Sequence, residues 1–248
     1  MSEDIELRLL RENKELKERL NRLEGKNSDG IPIYTFSKIK FNELNSLVDI
    51  EEIFNQDIFD NWFNQSKLNS DTIEFLNRLL SIEGNNIKSY NEEDLKMKFL
   101  SPIFNHINFT NLEYKFRDFY EYSIEYKTDK FIFCGVTDFI LSKGIKYIQK
   151  PYFFIQEFKK GRVISDPEPQ LLAELISAVE LNKENIIKGA YIIGSIWNFV
   201  VLEKLGENKY QYFVSPNFDS RKIEDLKSIY ANMLFIKNEI IESIRGNK

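Results

Sequence analysis

Two stretches decide the fold: Phe133-Cys134-Gly135-Val136-Thr137-Asp138-Phe139-Ile140-Leu141 and Tyr152-Phe153-Phe154-Ile155-Gln156-Glu157-Phe158-Lys159-Lys160. Both are rich in aromatic and β-branched residues and read as neighbouring strands. Each breaks into charge where apolar residues should continue. Asp138 lies between apolar neighbours in a segment that otherwise reads as sheet interior. Side chains alternate along a strand, so Glu157 and Lys159 share one face while Phe158 points to the other. Burying such charges unpaired costs roughly several kcal/mol, so they need each other or a metal ion. The bland reading is an ion pair knitting two strands together, since E-x-K recurs by chance. The aspartate in a G-x-x-D-F strand and the aromatic run into Glu157 favour a chemical one. Asp138 and Glu157 could hold one or two divalent ions that polarise a phosphate and acidify a water. Lys159 would position or activate that water, or neutralise charge developing on the phosphate.

Outward from these strands, the pattern is a mixed α/β unit. Before them, Asn91 to Ile107 reads as a helix. Asn91 can cap it, Glu92, Glu93 and Asp94 suit its positive end, and Leu95, Phe99 and Ile103 repeat on one face. Pro102 should kink that helix or end its first part. Strand-like segments run from Leu112 to Tyr126 and from Phe131 to Leu141, and a turn follows at Ser142-Lys143-Gly144. Asp166 to Asn182 reads as a second helix, with Leu172, Leu175, Ile176 and Val179 as its buried stripe. Tyr191 to Ile193, Trp197 to Glu203 and Tyr210 to Val214 complete the strands, and Asp219 to Arg245 forms a terminal helix. The expected fold class is therefore α/β, a mixed sheet flanked by helices, spanning residues 90–248.

The N-terminal residues differ. Leu9, Leu16 and Leu23 recur every seven residues, with Asn13 and Leu20 at the other core position of the heptad. In a parallel pair, Glu12 would face Lys17 and Arg19 would face Glu24. Residues 1–26 are thus expected to dimerise as a short coiled coil, against the alternative of an amphipathic helix docked on its own domain. Gly25 to Gly30 reads as a linker. Residues 31–86 read as mostly helical, with helical spacing over Leu44 to Phe63 and Asp71 to Ile82, and carry no catalytic grouping. They suit packing or a protein partner.

Composition narrows the chemistry. A net charge of −5 argues against a surface coated in basic residues, though not against a local basic groove. One cysteine, Cys134, allows no internal disulfide. His106 is the only histidine and reads as lying on the core side of its helix, so no Cys/His zinc site can form within the chain. Hydrolysis would have to run on carboxylates and lysine with a hard ion, Mg2+ or Mn2+. The charged N-terminus has no apolar signal core, and no apolar run approaches the ~20 residues that span a bilayer. A cytoplasmic location without membrane attachment is the expectation.

The stretch from Tyr90 to Pro216 resembles the PD-(D/E)XK nuclease superfamily. Asp138 matches its aspartate, Glu157-Phe158-Lys159 its E-x-K, and Thr137 stands where a proline often precedes the aspartate. Asn91 to Pro102 resembles the opening helix of the branch related to type I restriction enzyme R-subunit nuclease domains, which places a glutamate near the metals. Glu92 is the first choice by its spacing to Leu95 and Phe99, and Glu93 the fallback. A glutamine that often faces the site from the following helix matches Gln170. The resemblance implies a restriction-endonuclease-like fold and a Mg2+-dependent endonuclease acting on nucleic acid, DNA by expectation, in restriction, repair or defence. Asp138, Glu157, Lys159, Glu92 and Gln170 are its implied site residues, with Asp138, Glu157 and Glu92 on the metal. Lys96, Lys98, Lys159, Lys160 and Arg162 could meet phosphates. The alternative is a nuclease-fold binding module that dimerises or recruits a partner through the N-terminal helix.

Overall fold

The computed structural model describes residues 2–63, 65–159 and 166–246. Helix α1 (Ser2–Leu23) comes first, then β1 (Ile33–Thr35), α2 (Phe41–Leu47), β2 (Asp49–Glu52) and α3 (Ser70–Glu83). Next, α4 (Glu92–Asp94), a π-helical turn (Leu95–Leu100) and α5 (Ser101–Ile107) form one helical run. Three long strands follow, β3 (Phe116–Lys127), β4 (Ile132–Lys143) and β5 (Gln149–Lys159). Then come α6 (Pro167–Asn182), β6 (Ile186–Ile193), β7 (Ile196–Gly206), β8 (Lys209–Val214), β9 (Phe218–Asp219) and α7 (Ile223–Gly246). No described helix is long and apolar enough to cross a membrane.

All the strands join one mixed sheet, in the order β1-β4-β5-β6-β7-β8-β2, with β3 on the other side of β4 and β9 beside β7. Each face of the sheet carries its own core. On one, α3, the α4–α5 run and α7 pack over Phe139, Leu141, Phe154, Phe158 and Phe199. On the other, α6 lies over Ile140, Tyr191, Val200 and Leu202. Helix α6 is buried from Pro167 to Val179 on essentially every side, because α2 and the turn after β1 cover what the sheet leaves open.

Residues 31–86 are less helical than expected, and two of their segments belong to the sheet. Strand β2 pairs in parallel with β8, from Asp49 opposite Lys209 to Glu52 opposite Tyr212. The helical reading of Leu44 to Phe63 therefore holds only as far as Leu47. The signal for the change is local: Val48 and Ile50 are buried while Asp49 and Glu51 are exposed, a period of two rather than 3.6. Strand β1 pairs with β4, from Ile33 opposite Ile132 to Thr35 opposite Cys134.

Pro102 divides its helical run, as expected, without interrupting it. The turn before it widens to π geometry, with the Ser101 amide donating to the Lys96 carbonyl, and the proline falls at the start of α5. Proline lacks an amide hydrogen, so it is tolerated in a first turn, where no intrahelical bond is lost. Asn91 caps the run as expected, accepting from the Asp94 amide at 2.7 Å. His106 is not in the core. It is exposed, stacked on Phe75 with ring centroids 4.0 Å apart, with Nδ1 2.7 Å from the Tyr230 hydroxyl.

Candidate active site

Strand β4 changes partners along its length. Its ladder with β5 runs from Lys143 to Phe139, and its ladder with β1 covers Ile132 to Cys134. Residues 135–138 lie between the two ladders, so this edge of β4 is open where Asp138 sits. On the opposite edge the register from β3 passes from Tyr120↔Phe139 to Tyr122↔Thr137, omitting Glu121 opposite Asp138. Glu121 has φ 49°, a left-handed value that is uncommon for a residue with a side chain. Phe119 and Ile124, an odd number of positions apart on β3, both lie in the α6-side core, so the alternation of faces reverses across Glu121. Phe133 and Ile140 do the same on either side of Asp138. These irregularities take Asp138 out of the regular side-chain rows of the sheet. At Gly135 an added Cβ would lie 2.7 Å from a Phe36 ring carbon, so a side chain there would push away the turn after β1.

The Asp138 carboxylate fills the opening. Its Oδ2 accepts the Phe158 amide at 2.9 Å, substituting for the ladder bond that β4 and β5 do not make there. Its Oδ1 accepts from Lys96 Nζ at 2.9 Å, and Lys96 also lies 3.1 Å from Glu92 Oε1 and 4.0 Å from Glu93 Oε1. Glu92 is thus the helix carboxylate nearer the centre. Lys98, one of the other basic candidates, turns away to pair with Asp94 at 2.8 Å. Lys160 and Arg162 lie outside the described residues.

Glu157 and Lys159 share a face, and Lys159 Nζ donates to Glu157 Oε1 at 2.6 Å. The glutamate is almost completely buried, and its Oε2 has no hydrogen-bond partner. Burial, then the negative charge of Asp138, pushes the Glu157 carboxyl up to about 8 against the pull of Lys159. For Lys159 burial acts downward, but the charge and hydrogen bond of Glu157 outweigh it, so the ammonium is held more firmly than usual. The same balance at Lys96, with Asp138 and Glu92 as partners, also ends in an upward shift.

Gln170 enters from α6, near its start. It is buried, and its Nε2 donates to Glu174 Oε1 at 3.1 Å. Glu174 is the residue that reading the sequence missed. It is fully buried, its Oε2 is unpartnered, and burial followed by the charge of Glu157 drives its carboxyl well above the ordinary range. Its available signal was the four-residue spacing from Gln170, which puts both on one face of the helix. Glu92, Lys96, Asp138, Glu157, Lys159, Gln170 and Glu174, from helical and strand segments far apart in sequence, thus meet in one polar cluster between two apolar cores.

A cavity of about 430 Å³ opens on the Lys96 side, lined among others by Glu93, Tyr120, Glu121, Asp138 and Phe158. The donor set suits a hard cation: carboxylate oxygens, one of them buried without a partner, and no sulfur or imidazole. Among the described residues no three acidic, histidine or cysteine side chains already converge in metal-binding geometry, because lysines occupy Asp138 and Glu157 instead. No protein-family model matches the chain, and no curated protein matches its sequence.

Proposed function

We propose that this protein is a metal-dependent nuclease of the PD-(D/E)XK type, with a restriction-endonuclease-like fold, hydrolysing phosphodiester bonds of nucleic acid, with DNA the expected substrate. The observation that carries the reading is the meeting of Asp138, Glu157 and Lys159 where β4 and β5 part, open to a cavity on one flank. A purely structural ion pair would close the strands together; here the ladder stops at Phe139 and Gln156, and the Asp138 carboxylate accepts the Phe158 amide instead.

Asp138 and Glu157 would hold the divalent ion, Mg2+ or Mn2+, which when bound polarises the phosphate and acidifies a water. The unpartnered Oε2 of Glu157 is a vacant donor for it. Lys159, kept protonated by Glu157, acts as a cation: it orients the water or meets charge developing on the phosphate, and is poorly suited to removing a proton. Gln170 and Glu174, bonded to each other on α6, add a second buried carboxyl that feels the charge of Glu157. Leu9, Leu16, Leu20 and Leu23 stay exposed on α1, which favours a parallel homodimer with Glu12 opposite Lys17 and Arg19 opposite Glu24. Two centres related by a two-fold axis could then address both strands of a duplex.

A second reading has its own observation. Because lysines already pair with Asp138 and Glu157, the same scaffold could serve as a binding module that recruits a partner and cuts nothing. Cleavage of plasmid and single-stranded DNA in Mg2+, Mn2+ or EDTA, with Asp138→Ala and Lys159→Ala beside the wild type, separates the two. Metal-dependent cutting that falls on the order of 100-fold or more in both variants is the expected result. A wild type that binds DNA without cutting it, with unchanged affinity in the variants, would establish the binding module.

A further inference from the structure

Lys96 is held in a way that ordinary packing does not require. The π turn from Leu95 to Leu100 widens the helix at this point, and π turns inside helices recur at functional sites. The side chain emerges over the Phe158 ring, with Nζ 5.7 Å from its centroid. It then bridges two carboxylates from different elements, Asp138 Oδ1 at 2.9 Å and Glu92 Oε1 at 3.1 Å. Glu93 and Glu121 stand on the rim of the adjoining cavity, so among the described lining residues the excess of charge is negative and Lys96 is the one ammonium.

The distances exclude joint occupancy. Carboxylate oxygens that share Mg2+ lie about 2.0–2.1 Å from it, whereas these two are spaced around an ammonium at 2.9 and 3.1 Å. A divalent ion could bridge Glu92 and Asp138 only if the lysine left, exposing both carboxylates to each other. On the Glu157 side Lys159 takes only Oε1, at 2.6 Å, and leaves Oε2 without a hydrogen-bond partner.

Resting on the metal-dependent reading above, we propose that the Lys96 ammonium is a built-in cation which fills the place between Glu92 and Asp138 and limits the centre to one divalent ion, held by Asp138 and Glu157. Glu92 then serves Lys96 rather than the metal. Lys96 is a positioning residue whose charge replaces that of a second ion.

Calorimetric titration of the full chain with Mn2+, without nucleic acid, tests this, with melting in EDTA confirming that each variant folds. Wild type and Lys96→Arg should take up one ion, and Lys96→Met two. Glu92→Gln should leave the affinity for Mn2+ within about twofold, where loss of a true ligand or its support would cost roughly 10–100-fold. Mn2+ should also raise the melting temperature of Lys96→Met more than that of the wild type, because it restores the charge the variant lacks. Two ions in the wild type, one ion in Lys96→Met, or a large loss of affinity in Glu92→Gln each overturns the inference while leaving a metal-dependent nuclease intact. No uptake by any of the four proteins overturns the metal-dependent reading itself, and this inference with it.

Discussion

Helices α1 and α6 carry opposite lessons. Helix α1 has the more regular pattern, leucines at heptad spacing with charge between them, yet those leucines stay exposed, Leu23 at 87%. Helix α6 has a ragged pattern with a glutamine and three glutamates among its leucines, yet it is covered on all sides. A clean apolar stripe therefore marks a helix that meets one surface, and that surface need not belong to the same chain. A helix wrapped by sheet and by α2 needs apolar residues everywhere. Polar side chains inside it, Gln170 and Glu174, stand out only once its surroundings are known.

The contrast can be broken first through packing. Leu175→Ala in α6 removes a fully buried side chain and should cost about 2–5 kcal/mol in denaturant unfolding. Leu16→Ala in α1 should cost the isolated subunit within about 0.5 kcal/mol. Similar losses from both would mean that α1 is stabilised within its own chain.

A smaller effect sharpens the role of charge inside α6. The Glu174 carboxyl titrates well above the 4.5 of an ordinary glutamate, so the native state keeps a proton that the unfolded chain gives up. Stability from this group is present in full below about pH 4.5 and is lost as pH rises towards the native value. Glu157, pushed up to about 8, acts in the same direction. Glu174→Gln has no proton to lose, so its melting temperature relative to wild type should climb between pH 5 and pH 8. A constant difference across that range would show that Glu174 is not the titrating group.

The gentlest test concerns α1 alone. Leu16→Glu with Leu20→Glu should leave the melting temperature of the folded unit unchanged while sedimentation shifts from dimer to monomer. Wild-type sedimentation as a monomer would remove the coiled-coil reading and favour a different protein partner for this face.

Much of the centre could be read from the chain before the fold was known, because it rests on local rules. Strand alternation puts Glu157 and Lys159 on one face, and their 2.6 Å contact follows from it. Asn91 acts as a helix cap because its short side chain reaches an amide of the first turn. The Glu92–Lys96 pair is a one-turn contact of the same kind. The expected mixed sheet flanked by helices is observed, and β3, β4, β5, β7 and β8 fall within a few residues of their expected places because their apolar runs are long. Strand β6 starts earlier than expected, at Ile186, and the unexpected β9 takes the place where the terminal helix was expected to begin, so that α7 starts only at Ile223.

What failed was non-local. The helical reading past Leu47 gave way to β2 because β8, distant in sequence, offers an unpaired edge, and a four-residue strand has little periodicity of its own. His106 lies outside the core because the surface against it is the partly open seam with Phe75 and Tyr230, not the sheet.

By itself, the sequence determined the direction of each side chain along its own element, the caps, the heptad leucines and the E-x-K pair, since these depend on φ/ψ preferences and residue period alone. Only the tertiary structure decided that β1 and β5 leave an opening on β4 at Asp138, that Lys96 fills the space between Glu92 and Asp138, and that Glu174 lies behind Glu157. Those relations join residues tens of positions apart. They arise from which apolar faces pack together, and that is a property of the whole core, not of any one segment.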